Sequence, residues 1–469
     1  MKDNTPSITE ALATHWATLR FEDIPPVEVR RVKANILDTL AVALAGVSTE
    51  ESERVRGALH GMQEVDFGSR VWGTSGRLTP AHAAFANGTA AHARDFDDGG
   101  GPGHAGATVL PAAIAVAEHV GASGRDLIAA TIAGYDISYR LLQGLGGFAA
   151  VTDRGWHSTG TMGSFAAAAA SSKVLGLDPS RFSDALGIAG SFTGGIWAFI
   201  DDGAWTKRIH PGKAGEAGVD AAFLARAGIT GPHRVFEAEW GGIYATYNGG
   251  VSYPERVLDR LGIDFNVETA YIKPHACCRG SHSTIDTILR LIEERNLTPE
   301  NVAHVAITAG DTAINMLSVD PIETVFDAQF SLPYAVAIAL HERSVGLDQF
   351  DPPRIAEPAI RATFDRISMH RDEQIQLADG PQLRIELVDG TVITAASGSP
   401  MKAKGSASNP MSQHEVAAKA RRLLAPLGGD IAEALISAVD ALDESGDLSD
   451  LMNALITPSE RKWNDNNES

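Results

Sequence analysis

Apolar residues recur every three or four positions over most of the first 265 residues, and every second position only later. In "PPVEVRRVKANILDTLAVALAG", Val29, Val32, Ile36, Leu40 and Val42 keep helical spacing between a Pro-Pro start and a terminating Gly46. "ATVLPAAIAVAEHVGAS" and "GRDLIAATIAGYDISYRLLQGLG" predict a helix pair joined by a Gly-Ala-Ser-Gly turn. "TMGSFAAAAASSKVLGLD" and "PSRFSDALGIAGSFTGGIWAFI" predict another, rich in alanine where the backbones would approach closely.

The pattern changes near residue 266. "NVAHVAITA" and "QLRIELVDGTVITAASG" alternate in the manner of strands, and Asp389-Gly390 marks a hairpin. "DAQFSLPYAVAIALHER" and "PAIRATFDRI" predict helices between them, and from "NPMSQHEVAAKARRLLAPLGG" onward the chain is helical again. The predicted fold is mainly α. A large all-helical domain is formed by 1–265 and the return segment 401–469, and a smaller α+β domain, 266–400, is inserted between them. The polar ending "SERKWNDNNES" is expected to fray.

Length and charge narrow the function. The 469 residues suffice for two domains, and 39 basic against 59 acidic residues give a formal charge of −20. Such a field repels nucleic acid and anionic membranes, so a small anionic ligand needs locally clustered cations. The two cysteines, Cys277 and Cys278, are neighbours, which rules out a disulfide framework and an iron–sulfur ligand set. Without CxxC or HExxH there is no sequence support for a metal site. The polar, helical N-terminal stretch "MKDNTPSITEALATHWATLR" lacks a signal-peptide core and no run is long enough for a bilayer, so a cytoplasmic protein is expected. "GLGGFAA" follows a helix rather than a strand, and does not read as a dinucleotide loop.

Four stretches place polar groups among small or apolar residues. "DFDDGGGPGHAGATVLP" crowds Asp95, Asp97, Asp98 and His104 around five glycines. "DRGWHSTGTMGS" sets His157 before a helix start, "WTKRIHPGKAGEAG" carries Lys207, Arg208, His210 and Lys213, and "YIKPHACCRGSHSTID" carries Lys273, His275, Cys278, Arg279 and His282. The helices opening near Gly106 and Ser158 present unpaired amides that favour anions, and Lys207, Arg208, Lys273 and Arg279 could complete a carboxylate pocket. Histidine beside such a pocket exchanges protons near neutrality. The set suits proton abstraction next to a carboxylate, followed by loss of water or carbon dioxide, or by epimerisation. Each group also has a structural reading: the aspartates as caps, His157 as packed core, the cysteines as small buried residues, and His119, His210 and His341 as ordinary core or surface histidines.

Taken together, "HARDFDDGGGPGHAGATVLPAAIAVAE", "GWHSTGTMGSFAAAAA", "KRIHPGKAGEAG", "KPHACCRGSHSTID", "DAQFSLPYAVAIAL" and "GSASNPMS" resemble the MmgE/PrpD family over roughly residues 8–455. That family includes 2-methylcitrate dehydratases, cis-aconitate decarboxylases and iminodisuccinate epimerases. The resemblance implies a helical domain built from both chain ends, an α+β lid, a homodimer, no metal or organic cofactor, and an active site in the cleft between domains. It implies His104 and His157 as acid/base partners, Lys207 and Lys273 as carboxylate clamps or charge stabilisers, and Asp95 as an orienting or proton-transferring group. Arg208, Cys278, Arg279 and His282 are expected to bind substrate. A dehydratase of a 2-methylcitrate-like hydroxy acid is the first expectation, with an epimerase or decarboxylase as alternative and a non-catalytic polycarboxylate-binding protein as the reading from another class. Two departures point away from the decarboxylases. "GGGPG" stands where those members carry bulkier residues, and Cys278 stands in place of a histidine. The glycines are expected to leave room for a larger or differently oriented substrate, or to mark altered chemistry.

Overall fold

A computed structural model describes residues 6–62, 65, 68–101, 103–376 and 378–457. It is 59% helical with 9% strand, mainly α as predicted. The chain divides into two units: Ile272–Met411 is one, and the chain up to Tyr271 together with that from Ser412 is the other. The polar ending from Ser459 lies outside the described residues.

The helical unit is built from the predicted hairpins. Pro26–Gly46 starts on a proline whose missing N–H costs nothing at the first helical position. Gly124–Gly144 starts on a capping box between Ser123 and Asp126. Thr206–Ala227 packs against both Ser158–Val174 and Pro80–His92, and Ser158–Val174 in turn packs against Gly124–Gly144 and Ala105–Val120. Small residues make this possible. A Cβ on Gly88 would lie 2.7 Å from the Gly212 Cα, and one on Gly218 would lie 2.4 Å from the Ala167 Cβ. Either addition would force the helix axes apart.

Sequence separation does not keep the return segment out of this core. Gln413–Leu424 packs on Pro26–Gly46, and the buried Lys419 pairs with Asp38 at 2.7 Å and donates to the Phe96 carbonyl at 2.9 Å. One late residue thereby anchors the Asp95–Asp98 loop.

In the α+β unit a four-stranded sheet runs in the order Ile367–Arg371, Val302–Ala309, Gln382–Leu387, Val392–Ala396. The last two strands form the hairpin predicted at Asp389-Gly390, and Gly390 takes a left-handed φ of 87°. "PAIRATFDRI" is not one helix: it is helical over Pro358–Phe364, and Ile367 begins a strand. Ile367 pairs in parallel with Val305, a distant partner that local periodicity cannot reveal. Helices His282–Arg295 and Leu332–Glu342 pack against each other. No single helix among the described residues is long and apolar enough to cross a membrane.

Candidate active site

The helix Pro80–His92 ends at the first functional side chain, and Asp95 then turns the chain with a left-handed φ of 49°. That turn drives Asp95, Asp97 and Asp98 inward, all at most 1% exposed. Gly99–Gly100 pairs with Ala270–Tyr271 in a two-residue antiparallel ladder. The glycines do not leave an open space. A Cβ on Gly99 would lie 2.7 Å from the Tyr271 hydroxyl, one on Gly100 2.4 Å from the Thr269 carbonyl oxygen, and one on Gly101 2.5 Å from the Tyr139 ring. The expectation of room for a larger substrate is corrected on this point: backbone and tyrosine rings fill the volume the missing side chains vacate.

The three aspartates do different work. Asp98 accepts from the Gly106 amide at 2.8 Å, from Asn35 Nδ2 at 2.9 Å and from the Tyr135 hydroxyl. It is therefore the anion at the start of Ala105–Val120, a place the sequence reading left open to a ligand. Burial, against those donors, pushes its pKa up to about 7. Asp97 accepts from two imidazoles, His92 Nδ1 and His104 Nδ1, each at 3.0 Å. Burial alone would raise its pKa, but the imidazoles on either side hold it well below the carboxylate range. Asp95 Oδ1 accepts from Lys207 Nζ at 2.9 Å and has Arg208 at 3.8 Å.

Lys207 also donates to His92 Nε2 at 3.0 Å. An ammonium has no acceptor, so His92 carries its proton on Nδ1, facing Asp97. Burial holds its pKa well below 6.5, and it is neutral. His104 is fixed the same way: its Nδ1 faces Asp97 and, at 2.8 Å, the Asp98 carbonyl, both acceptors. Nδ1 of His104 therefore bears hydrogen. One ligand atom each from His92, Asp95 and His104 lie within 4.8 Å of one another, in the manner of a metal site. Lys207 Nζ contacts two of these three residues, Asp95 and His92.

His157 stands immediately before the helix Ser158–Val174, its amide bonded to the Gly195 carbonyl at 3.0 Å. Its ring centre is 6.5 Å from those of both His92 and His104, while His92 and His104 are 4.5 Å apart. His157 Nδ1 lies 2.9 Å from His210 Nδ1. Burial first, then the nearby His210 and Lys207, lowers His157 well below the usual imidazole value. The helical unit thus brings together Asp95, His104, His157, Lys207 and Arg208.

Lys273, Cys278, Arg279 and His282 all lie buried in the α+β unit. Arg279 donates to the Lys404 and Ala403 carbonyls at 2.8 and 3.0 Å and sits 3.2 Å from His282 Nδ1. His282 Nε2 faces the Cys277 carbonyl at 3.3 Å. His275 pairs with Asp286 at 2.9 Å. Both ring nitrogens of His282 therefore already have partners within the unit.

Two residues of the helical cluster escape sequence reasoning. His92 lies at the end of an alanine-rich helix and reads as part of it; its signal is the short spacing to Asp97. His210, read as an ordinary core or surface histidine, is instead the partner of His157, one helical turn beyond Lys207.

With this geometry in place, the relatives can be set beside it. Residues 10–254 match the MmgE/PrpD N-terminal domain and residues 275–444 the MmgE/PrpD C-terminal domain. The chain belongs to the MmgE/PrpD family. It is 29% identical to the cis-aconitate decarboxylase-like protein oryM of Aspergillus oryzae (strain ATCC 42149 / RIB 40), over 97% of this chain and 98% of that protein. It is also 29% identical to the cis-aconitate decarboxylase of Homo sapiens, over 97% of this chain and 95% of the relative. The cis-aconitate decarboxylase of Aspergillus terreus is 28% identical, over 94% and 95%. These relatives are lyases by name.

Proposed function

We propose that this protein is a lyase that removes a proton beside a carboxylate of a di- or tricarboxylic acid and dehydrates a 2-methylcitrate-like hydroxy acid. The observation that carries the reading is the meeting of His104 and His157, ring centres 6.5 Å apart, beside the Lys207–Asp95 pair. His104, held through Nδ1 by Asp97, acts as the base through Nε2. Negative charge then grows on the substrate carboxylate, and Lys207 and Arg208 supply the positive charge that stabilises it. This chemistry calls for neither metal nor organic cofactor. His157 acts as the partner acid that protonates the leaving hydroxyl.

Burial keeps His92, His157 and His210 neutral at rest. Neutral imidazoles favour abstraction as the first event, which is the order dehydration or epimerisation requires. Decarboxylation is the second reading, supported by the names of the relatives. It would begin with protonation at carbon instead. A homodimer is the proposed solution state, checked by sedimentation velocity.

The test is a panel of 2-methylcitrate, citrate and cis-aconitate incubated in deuterated water and read by mass spectrometry. Loss of water with deuterium exchange next to a carboxylate is expected. Loss of carbon dioxide would move the assignment to the second reading, and exchange without mass loss would move it to an epimerase. Binding with neither exchange nor turnover would leave a capture protein.

A further inference from the structure

His157 is 2% exposed, so a proton it accepts has no direct route to water. Its Nδ1 nonetheless has one partner, the Nδ1 of His210, at 2.9 Å. His210 is the more open of the two. Two imidazole nitrogens at that distance share one hydrogen: two N–H groups would collide and two lone pairs would repel. The pair therefore has two neutral arrangements. In the first, His157 carries hydrogen on Nδ1 and presents a bare Nε2. In the second, the shared hydrogen belongs to His210, and His157 carries its own on Nε2.

The surroundings hold this geometry. The His157 amide is tied to Gly195, and that glycine has a φ of 127°. That φ favours glycine, and a Cβ there would stand 3.5 Å from His210 Nδ1, so the loop lies directly over the pair. Phe199 packs its ring against both imidazoles, at 5.6 Å from His157 and 5.8 Å from His210, and Trp197 stands 5.3 Å from His157. These aromatic rings line the histidine pair.

We infer that His210 is a positioning and relay residue that switches His157 between its base and acid forms without charging the pair. The switch is balanced. In the second arrangement His157 Nε2 gives its proton to the leaving hydroxyl, which departs as water with the C–O electron pair. The shared proton passes from His210 Nδ1 to His157 Nδ1, and a solvent proton enters at His210 Nε2. His157 now presents a bare Nε2, its base form. Uptake of a proton at His157 Nε2, return of the shared proton to His210 Nδ1 and loss of the His210 Nε2 proton to solvent reset the pair. This inference rests on His157 as an acid/base group, yet the hydrogen bond and the tautomer it imposes can be read without any turnover.

The experiment is nitrogen-15 NMR of the full-length protein labelled at histidine. In the wild type, one ring proton coupled to two nitrogens of different residues, His157 and His210, is expected; absence of that coupling would overturn the relay. His210→Ala should abolish the coupling and turn His157 from one defined tautomer into a mixture. His210→Asn, whose amide can stand in for Nδ1, should keep a single tautomer, and imidazole added to His210→Ala should restore it. A His157 spectrum identical in wild type and His210→Ala would defeat the proposal even if the enzyme reading stands. If the tautomer responses appear but no acid in the panel turns over, the relay geometry holds and the enzyme reading fails.

Discussion

The two polar clusters of this chain solve the burial of charge in opposite ways. In the helical unit, cations meet carboxylates: Lys207 pairs with Asp95 and Lys419 with Asp38, while Asp97 is shared by His92 and His104. In the α+β unit the buried Arg279 is held by main-chain carbonyls and lies against His282. Paired charges and imidazoles sharing one carboxylate can exchange protons; a guanidinium bound to carbonyls cannot, and it braces a turn instead. The difference leaves a buried network of imidazoles, carboxylates and an ammonium in the helical cluster and a guanidinium fixed by carbonyls in the other.

The largest effect should come from Asp97→Asn. It removes the acceptor that orients both imidazoles, and kcat should fall by about 10²–10⁴-fold, the usual scale of general acid–base contributions, with the far-ultraviolet spectrum unchanged. Wild-type turnover in this variant would break the contrast. Lys207→Met strands Asp95 as a buried carboxylate, and losing one partner of such a pair costs about 3–5 kcal/mol, measurable by urea unfolding. Arg279→Lys in the other cluster should cost less, about 1–3 kcal/mol, because it leaves carbonyls short of donors rather than a charge unpaired. Equal losses for the two variants would show that the clusters hold their cations alike. Gly101→Ala, pressed against Tyr139, should cost about 1–3 kcal/mol through overpacking; a neutral result would mean that the loop has slack.

The smallest effect is a pH trend. Burial lowers the folded pKa values of His92, His157 and His282, and lowers His210 to about 4. The unfolded chain then binds more protons, so the stability present above about 6.5 is lost as pH falls through that value toward the folded pKa. Asp98 runs the other way. Raised to about 7, its contribution is complete below the unfolded value and declines as pH rises through 7. Thermal midpoints should therefore fall on acidification from neutrality, and more shallowly in His210→Asn. Three of the four imidazoles lie in the helical unit, so hydrogen exchange in mild acid should open that cluster first.

The helices were legible because amphipathic spacing, prolines at starts and glycines at ends act within a few residues, as in Pro26–Gly46. The Asp389-Gly390 hairpin was legible for the same reason. Asp95, His104, His157 and Lys207 stood out as polar groups in apolar stretches, and the structure gathers them. What one local pattern cannot hold is a partner. Ile367 becomes a strand because Val305 lies beside it, and the glycines of the acidic loop make room for Tyr271 and Tyr139. His92 and His210 likewise take their meaning from Lys207, Asp97 and His157 across the helix packing. The sequence by itself determined the helical class, the residues able to carry charge and the family they belong to. Only the tertiary structure decided that His92 holds its proton on Nδ1 and that His157 faces His210, because a ring nitrogen's role is set by the atom opposite, and Lys207 and His210 come from a distant part of the chain.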